Sequence, residues 1–244
     1  MAKVKNGKLH GRIGNTIHRV FRGQEIVQSY PRSLKPRGQT LTENNLFGEC
    51  SKMNASIYRL IKDFALRNFD YSFSWEIMAL LKRNFFQKQS NTNSNRADWK
   101  KIEEATCLAI NKGVLLEDVL FELPDSTLAN GKLRLFFPAH TKIEHALLMK
   151  DVVCTEYSFT VIHYDFYLKL AEISHVINSG RIYTSRGFPE QVYEIELSSE
   201  EREIKDGLII VCFGLRFFAS SISYGYLNSK EINPTAILGM WYKA

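Results

Sequence analysis

Residues 207–218 read GLIIVCFGLRFF and residues 235–243 read TAILGMWYK. Both are runs of β-branched and aromatic residues, too short and too β-prone for a helix. Similar runs precede them: ATCLAINKGVL (105–115), KLRLFF (132–137), HALLMKDVVC (145–154), YSFTVIHYDFYLKLAEISHVI (157–177), RIYTS (181–185) and QVYEIEL (191–197). Between them stand LPDSTLANG, NSGR, RGFPEQ, KDG and INPT, which carry turn chemistry. Many strands at this spacing predict an antiparallel sandwich, immunoglobulin-like, over 99–244. HVINSGRIY reads as a hairpin, and SSEEREIKDG as the crossing between two sheets.

Upstream the period changes. Leu46, Cys50, Met53, Ile57, Leu60, Ile61 and Phe64 recur at three- and four-residue steps, with Thr40 and Glu43 placed as a capping box. A second helix is expected from Ser74 as N-cap through WEIMALLKRNFF, with Ile77, Met78, Leu81 and Phe85 inward. QKQSNTNSNRAD (87–98) is polar and reads as a linker. The expectation is therefore α+β: an N-terminal hairpin and two helices in 1–98, packed with the sandwich.

The first forty residues differ in character. They hold nine Lys or Arg against Glu25 alone, whereas the other 204 hold 23 basic and 25 acidic residues. NTIHRVF and QEIVQSY flank Arg22-Gly23 and predict a hairpin in which Phe21 faces Gln24. Ile17, Phe21 and Ile26 would share one face, and Val20 and Val27 the other. The two prolines of YPRSLKPRG hold the following stretch extended. Arg12, Arg19, Arg22, Arg32, Lys35 and Arg37 are then the candidate partner-binding residues, presented around an apolar anchor. GKLHGRIGN is glycine-rich and basic but has no helix N-terminus behind it, so a flexible lead-in is expected rather than a phosphate cradle.

No run approaches the roughly 20 apolar residues of a membrane span, and no apolar stretch follows the basic start, so a cytoplasmic protein is expected, with signal-independent export left open. Cys50, Cys107, Cys154 and Cys212 lie about fifty residues apart without a C-x-x-C pair and read as buried reduced thiols. No nucleotide, hydrolase or zinc-protease motif occurs. His140 and His145 have poor metal spacing and read as surface histidines. His163 and Asp165 would share a strand face with no nucleophile beside them. No catalytic residue, cofactor or metal is expected. A non-catalytic interaction or assembly protein fits these features. Sequence-independent nucleic-acid binding through the same arm is the alternative.

Gly11, Gly14, Asn15, Gly23, Val27, Pro36 and Thr42, followed by SFSWEIMALLKRNF and LAINKGVL, resemble an uncharacterised family of Bacteroidota proteins over roughly the first 120 residues. The chain departs from that pattern at Asn45 and within Ser72–Trp75. The resemblance implies a bacterial source, the two-part architecture and no recognised catalytic residue.

Overall fold

The structure is a computed structural model. It describes residues 3–5, 7–21, 24–29, 38–65, 69–86, 108–140, 152–199, 202–203, 207–219, 227 and 232–243. The chain divides into two compact units, Met1–Asn44 and Asn45–Ala244.

In the first unit β1 (Lys3–Lys5), β2 (Lys8–Ile13), β3 (Thr16–Phe21) and β4 (Gln24–Ser29) form an antiparallel meander in that order. The sequence reading placed one hairpin here, and there are three. GKLHGRIGN is therefore strand β2 and its turn rather than a flexible lead-in. Gly7 takes φ +73° between β1 and β2, and Gly14 takes φ +54° between β2 and β3, conformations that a side chain disfavours.

The second unit is built around a six-stranded antiparallel sheet. The elements after the meander, in chain order, are α1 (Gly38–Phe64), α2 (Tyr71–Phe86), β5 (Leu108–Ala109), β6 (Asp125–Ala129), β7 (Lys132–Phe137), β8 (Cys154–Asp165), β9 (Leu170–Asn178), β10 (Ile182–Tyr183), β11 (Gln191–Glu196), β12 (Ser198–Ser199), β13 (Arg202–Glu203), β14 (Gly207–Phe218) and β15 (Thr235–Lys243). The large sheet has the order β10-β8-β14-β15-β5, with β9 also on β8, and a second sheet has the order β11-β7-β6.

Alternation along the central strands builds two cores. Tyr157, Phe159 and Val161 of β8 and Ile209, Val211, Phe213, Leu215 and Phe217 of β14 meet Leu133, Leu135 and Phe137 of the small sheet. Ile162 and Tyr164 of β8 and Leu208, Ile210 and Cys212 of β14 point the other way, against Met53, Ile57 and Ile61 of α1 and Phe73, Ile77 and Leu81 of α2. Because both faces are covered, β8 and β14 read as almost unbroken apolar runs. Each fully buried Leu, Ile or Phe contributes about 1.5–3 kcal/mol.

The described part of the protein is thus mixed α+β with mostly antiparallel sheets. Both helices pack on the outer face of the larger sheet, as the α+β expectation had them packed with the strands. In β15 the register slips opposite Val211/Cys212, so that Ala236 and Leu238 but then Trp241 face the small sheet, while Ile237 and Met240 face the helices.

Several element boundaries depart from the sequence reading. Thr40 lies inside α1, which begins at Gly38, and Ser74 lies inside α2, which begins at Tyr71. Asp70 precedes α2; its carbonyl accepts from Phe73 N at 3.0 Å, and its side chain turns away to accept from Lys112 N. Ser74 Oγ instead accepts from Asn54 Nδ2 at 3.0 Å, joining the helices. LPDSTLANG is a strand rather than a turn for most of its length: Asp125–Ala129 pairs with β7, and the turn is Asn130-Gly131, both at positive φ (52° and 74°).

HVINSGRIY is not a hairpin. β9 and β10 do not pair with each other; both pair antiparallel with β8, one after the other. At the break Ser179 N donates to Tyr157 O, and Ser179 Oγ accepts from Tyr157 N at 3.0 Å, so a hydroxyl stands in for a strand carbonyl. SSEEREIKDG does connect the two sheets, with Ser198–Ser199 paired to Arg202–Glu203.

Candidate docking surface

Strand pairing fixes the faces of the meander. Arg12 is paired with Ile17, and Arg19 with Ile26, so these four side chains share one face. Ile13, paired with Thr16, shares the other face with His18, Val20, Glu25 and Val27. The expected pairing of Phe21 with Gln24, and the face-sharing of Val20 with Val27, are present. The expected separation of apolar anchor from basic rim is not. Residues 17, 19 and 21 of one strand necessarily point the same way, so Arg19 stands between the apolar positions.

Arg12 and Arg19 are exposed. The Nε of Arg12 donates to Gly14 O at 2.9 Å, which holds the guanidinium against the turn. Arg22, Arg32, Lys35 and Arg37 lie outside the described residues, as does the side chain of Phe21. The aliphatic residues are exposed too: Val4 (69%), Val27 (58%), Ile13 (44%) and Leu9 (40%). Ile17, Val20 and Ile26 are half-buried, and no side chain described between Lys3 and Ser29 is buried. A small sheet with no buried side chain gains little from its own packing.

Gly11 has φ +111° and lies where β2 changes partner: Lys8–His10 pair with β1, and Gly11–Ile13 pair with β3. The signal for the two further hairpins is present in the sequence as Asn6-Gly7 and Gly14-Asn15, of which Asn-Gly is the strongest short hairpin dipeptide.

The other residues considered for chemistry are engaged structurally. Asp165 Oδ1 accepts from Tyr167 N and Leu168 N at 2.6 and 2.7 Å, closing the turn from β8 to β9. His163 is buried beside Gly207, where a Cβ would collide with its ring. His140 is buried, contrary to the surface position expected. It is bridged to Phe188 by paired backbone hydrogen bonds of 2.9 and 2.7 Å, and its ring lies 5.2 Å from that of Phe137. Burial pushes its pKa below the ordinary histidine value, against a smaller opposing effect from the Glu122 backbone. His145 lies outside the described residues.

On the meander Thr16 Oγ1 lies 3.1 Å from His18 Nε2, but the hydroxyl donates its proton to Ile13 O, so it is left to accept from the ring rather than to be activated by it. On the outer face of the small sheet, Asp125, Thr127, Arg134 and Phe136 line a hollow of about 220 Å³ without a nucleophile–base pair. Among the described residues no three His, Cys, Asp or Glu stand together as metal ligands, and no helix is long and apolar enough to cross a membrane.

Cys50, Cys154 and Cys212 are buried free thiols, as expected; Cys107 lies outside the described residues. Burial pushes the Cys50 thiol up to about 11. Most described aromatic residues are core, but Phe47, Tyr71, Trp75, Phe121, Tyr167 and Tyr183 are exposed.

No protein-family model matches the chain, and neither the curated proteins nor the solved structures give a match.

Proposed function

We propose that the protein is a non-catalytic docking protein, which engages an acidic partner protein or a larger assembly through its basic N-terminal sheet and uses the α+β unit as scaffold. One observation carries this reading: a four-stranded sheet with no buried side chain among its described residues, on which exposed arginines alternate with aliphatic residues. Such a surface gains free energy when something covers it, and an acidic partner satisfies both its charge and its apolar area.

Nucleic-acid binding through the same arm is the weaker reading. Counterion release needs only the cations and leaves Val4, Leu9, Ile13 and Val27 without purpose. A cytoplasmic setting is proposed on the buried free thiols. The Bacteroidota family resemblance belongs with this reading and carries no activity.

The test is a variant with Arg12, Arg19, Arg22, Arg32, Lys35 and Arg37 changed together to Gln. The melting temperature should stay nearly constant, because isolated surface charges contribute little. Capture of an acidic protein from host extract, identified by mass spectrometry and insensitive to nuclease, should fall. Capture unchanged by the substitution refutes the docking role, and nuclease-sensitive capture transfers it to nucleic acid.

A further inference from the structure

The meander has two outer strands, and they differ. β1 is three residues long with Lys3 and Lys5, a short lysine-guarded edge of the kind that discourages further pairing. β4 is six residues long, QEIVQS, with no Lys, Arg or Pro, and pairs only with β3 among the described residues. Two residues separate Phe21 from Gln24, so these two form the hydrogen-bonded pair beside the turn. Alternation then turns the N–H and C=O of Gln24, Ile26 and Gln28 toward β3, and those of Glu25, Val27 and Ser29 toward the open edge.

The long outer strand of the second unit is differently protected. β9 is broken by a bulge opposite Val161/Ile162, and its Ala171 N–H is taken by Ser56 Oγ of α1 at 2.9 Å.

We propose that β4 is an acceptor edge, to which an acidic partner protein adds a strand whose alternate residues are carboxylates. This rests on the docking role above and names its mode. On the face that carries Arg12 and Arg19, an added strand lies next to Ile26 and one strand away from Arg19, so carboxylates belong on that face. On the opposite face it lies between Glu25 and the exposed Val27, where carboxylates are repelled and aliphatic side chains pack. The register thus selects alternating acidic and aliphatic residues. Main-chain hydrogen bonds to Val27 and Ser29 supply affinity, and the two faces supply selectivity.

The experiment uses the full chain and two end-blocked peptides, Glu-Val-Glu-Val-Glu-Val-Glu and Glu-Pro-Glu-Pro-Glu-Pro-Glu. They carry equal charge, but the second lacks alternate strand donors. The first should bind at least about tenfold more tightly, and Val27→Pro should remove that advantage, because its outward N–H is not part of the β3–β4 ladder. Amide exchange at Val27 and Ser29 should slow when the first peptide binds.

Equal binding of the two peptides overturns the acceptor edge while leaving charge-driven docking in place, as does an unaffected Val27→Pro variant. Absence of binding to the first peptide also overturns the edge, with the docking role decided separately by the capture experiment. An Arg12→Gln/Arg19→Gln variant that binds the first peptide as well as the native chain refutes the acidic selectivity. The peptide comparison needs no variant to fold. The amide shifts of Gly14 and Thr16 report whether Val27→Pro keeps its meander.

Discussion

The hydroxyl of Tyr157 meets the hydroxyl of Tyr193 at 2.8 Å across the space between the two sheets of the second unit. Tyr157 lies on the central strand β8, stacked on Phe137 with ring centroids 4.1 Å apart, and burial pushes its pKa well above the ordinary tyrosine value. The pair is a polar rivet in an aromatic core, and each hydroxyl depends on the other. Tyr193→Phe should therefore cost about 1–3 kcal/mol, because it strands the Tyr157 hydroxyl out of water. The double variant Tyr157→Phe/Tyr193→Phe should cost less than the sum of the single ones, with a coupling of about 0.5–3 kcal/mol from chemical denaturation. Strict additivity would show that the hydroxyls do not support one another.

Ser179 predicts a second effect on the same residue. Its Oγ is the acceptor for the Tyr157 N–H. Ser179→Ala should destabilise the protein by about 1–3 kcal/mol, and amide exchange should quicken at Tyr157 before it does at Phe213 on the neighbouring strand. A neutral substitution would mean that water replaces the hydroxyl without loss.

His140 makes stability depend on pH. Its folded pKa is depressed by burial below 6.5, so the unfolded chain binds the proton more readily. Its contribution is complete above the unfolded value and is lost as pH falls through 6.5 toward the folded one. The urea midpoint should drop between about pH 7 and pH 5 in the native protein, and His140→Gln should flatten that limb. An identical drop in the variant would assign the acid sensitivity to other groups.

Thiol chemistry offers a simple check on burial. Cys50, Cys154 and Cys212 are buried, and burial raises all three thiols. An aromatic disulfide reagent at mildly alkaline pH should modify no more than one thiol in the folded protein, and the rest only on unfolding. Fast reaction of two or more thiols contradicts the packing described.

Much of the second unit is legible in the sequence because burial on both faces leaves a dense apolar signal. KLRLFF, GLIIVCFGLRFF and TAILGMWYK coincide with β7, β14 and β15. The misreadings have local causes. NSGR carries turn residues, yet the strands on either side share one partner, which no local pattern encodes. DSTLA was hidden by Pro124, Asp125 and Ser126, although only Asn130-Gly131 turns the chain. The helix that begins at Tyr71 rather than Ser74 shows a plausible cap side chain spent on a neighbouring helix. On the meander, the glycine-rich basic start was read as a flexible lead-in to one hairpin, while Asn6-Gly7 and Gly14-Asn15 carried the strand architecture.

The helix-facing core has a consequence for how the chain reaches its native state. Cys50 to Leu81 of α1 and α2 pack on Leu208 to Cys212 and on Ile237 and Met240, partners that leave the ribosome more than a hundred residues later. Until β14 and β15 are synthesised, the apolar stripe of both helices can meet, of the buried strand residues in this core, only Ile162 and Tyr164 of β8 and Ala171 of β9, and β8 waits for its central neighbour over the same interval. Closure is therefore late and collective: loop-closure entropy must be met before the contacts that reward it exist. The two long strands that complete this core, β14 and β15, are also the last described elements of the chain, so the helices wait for almost the whole sequence before their apolar faces are fully covered.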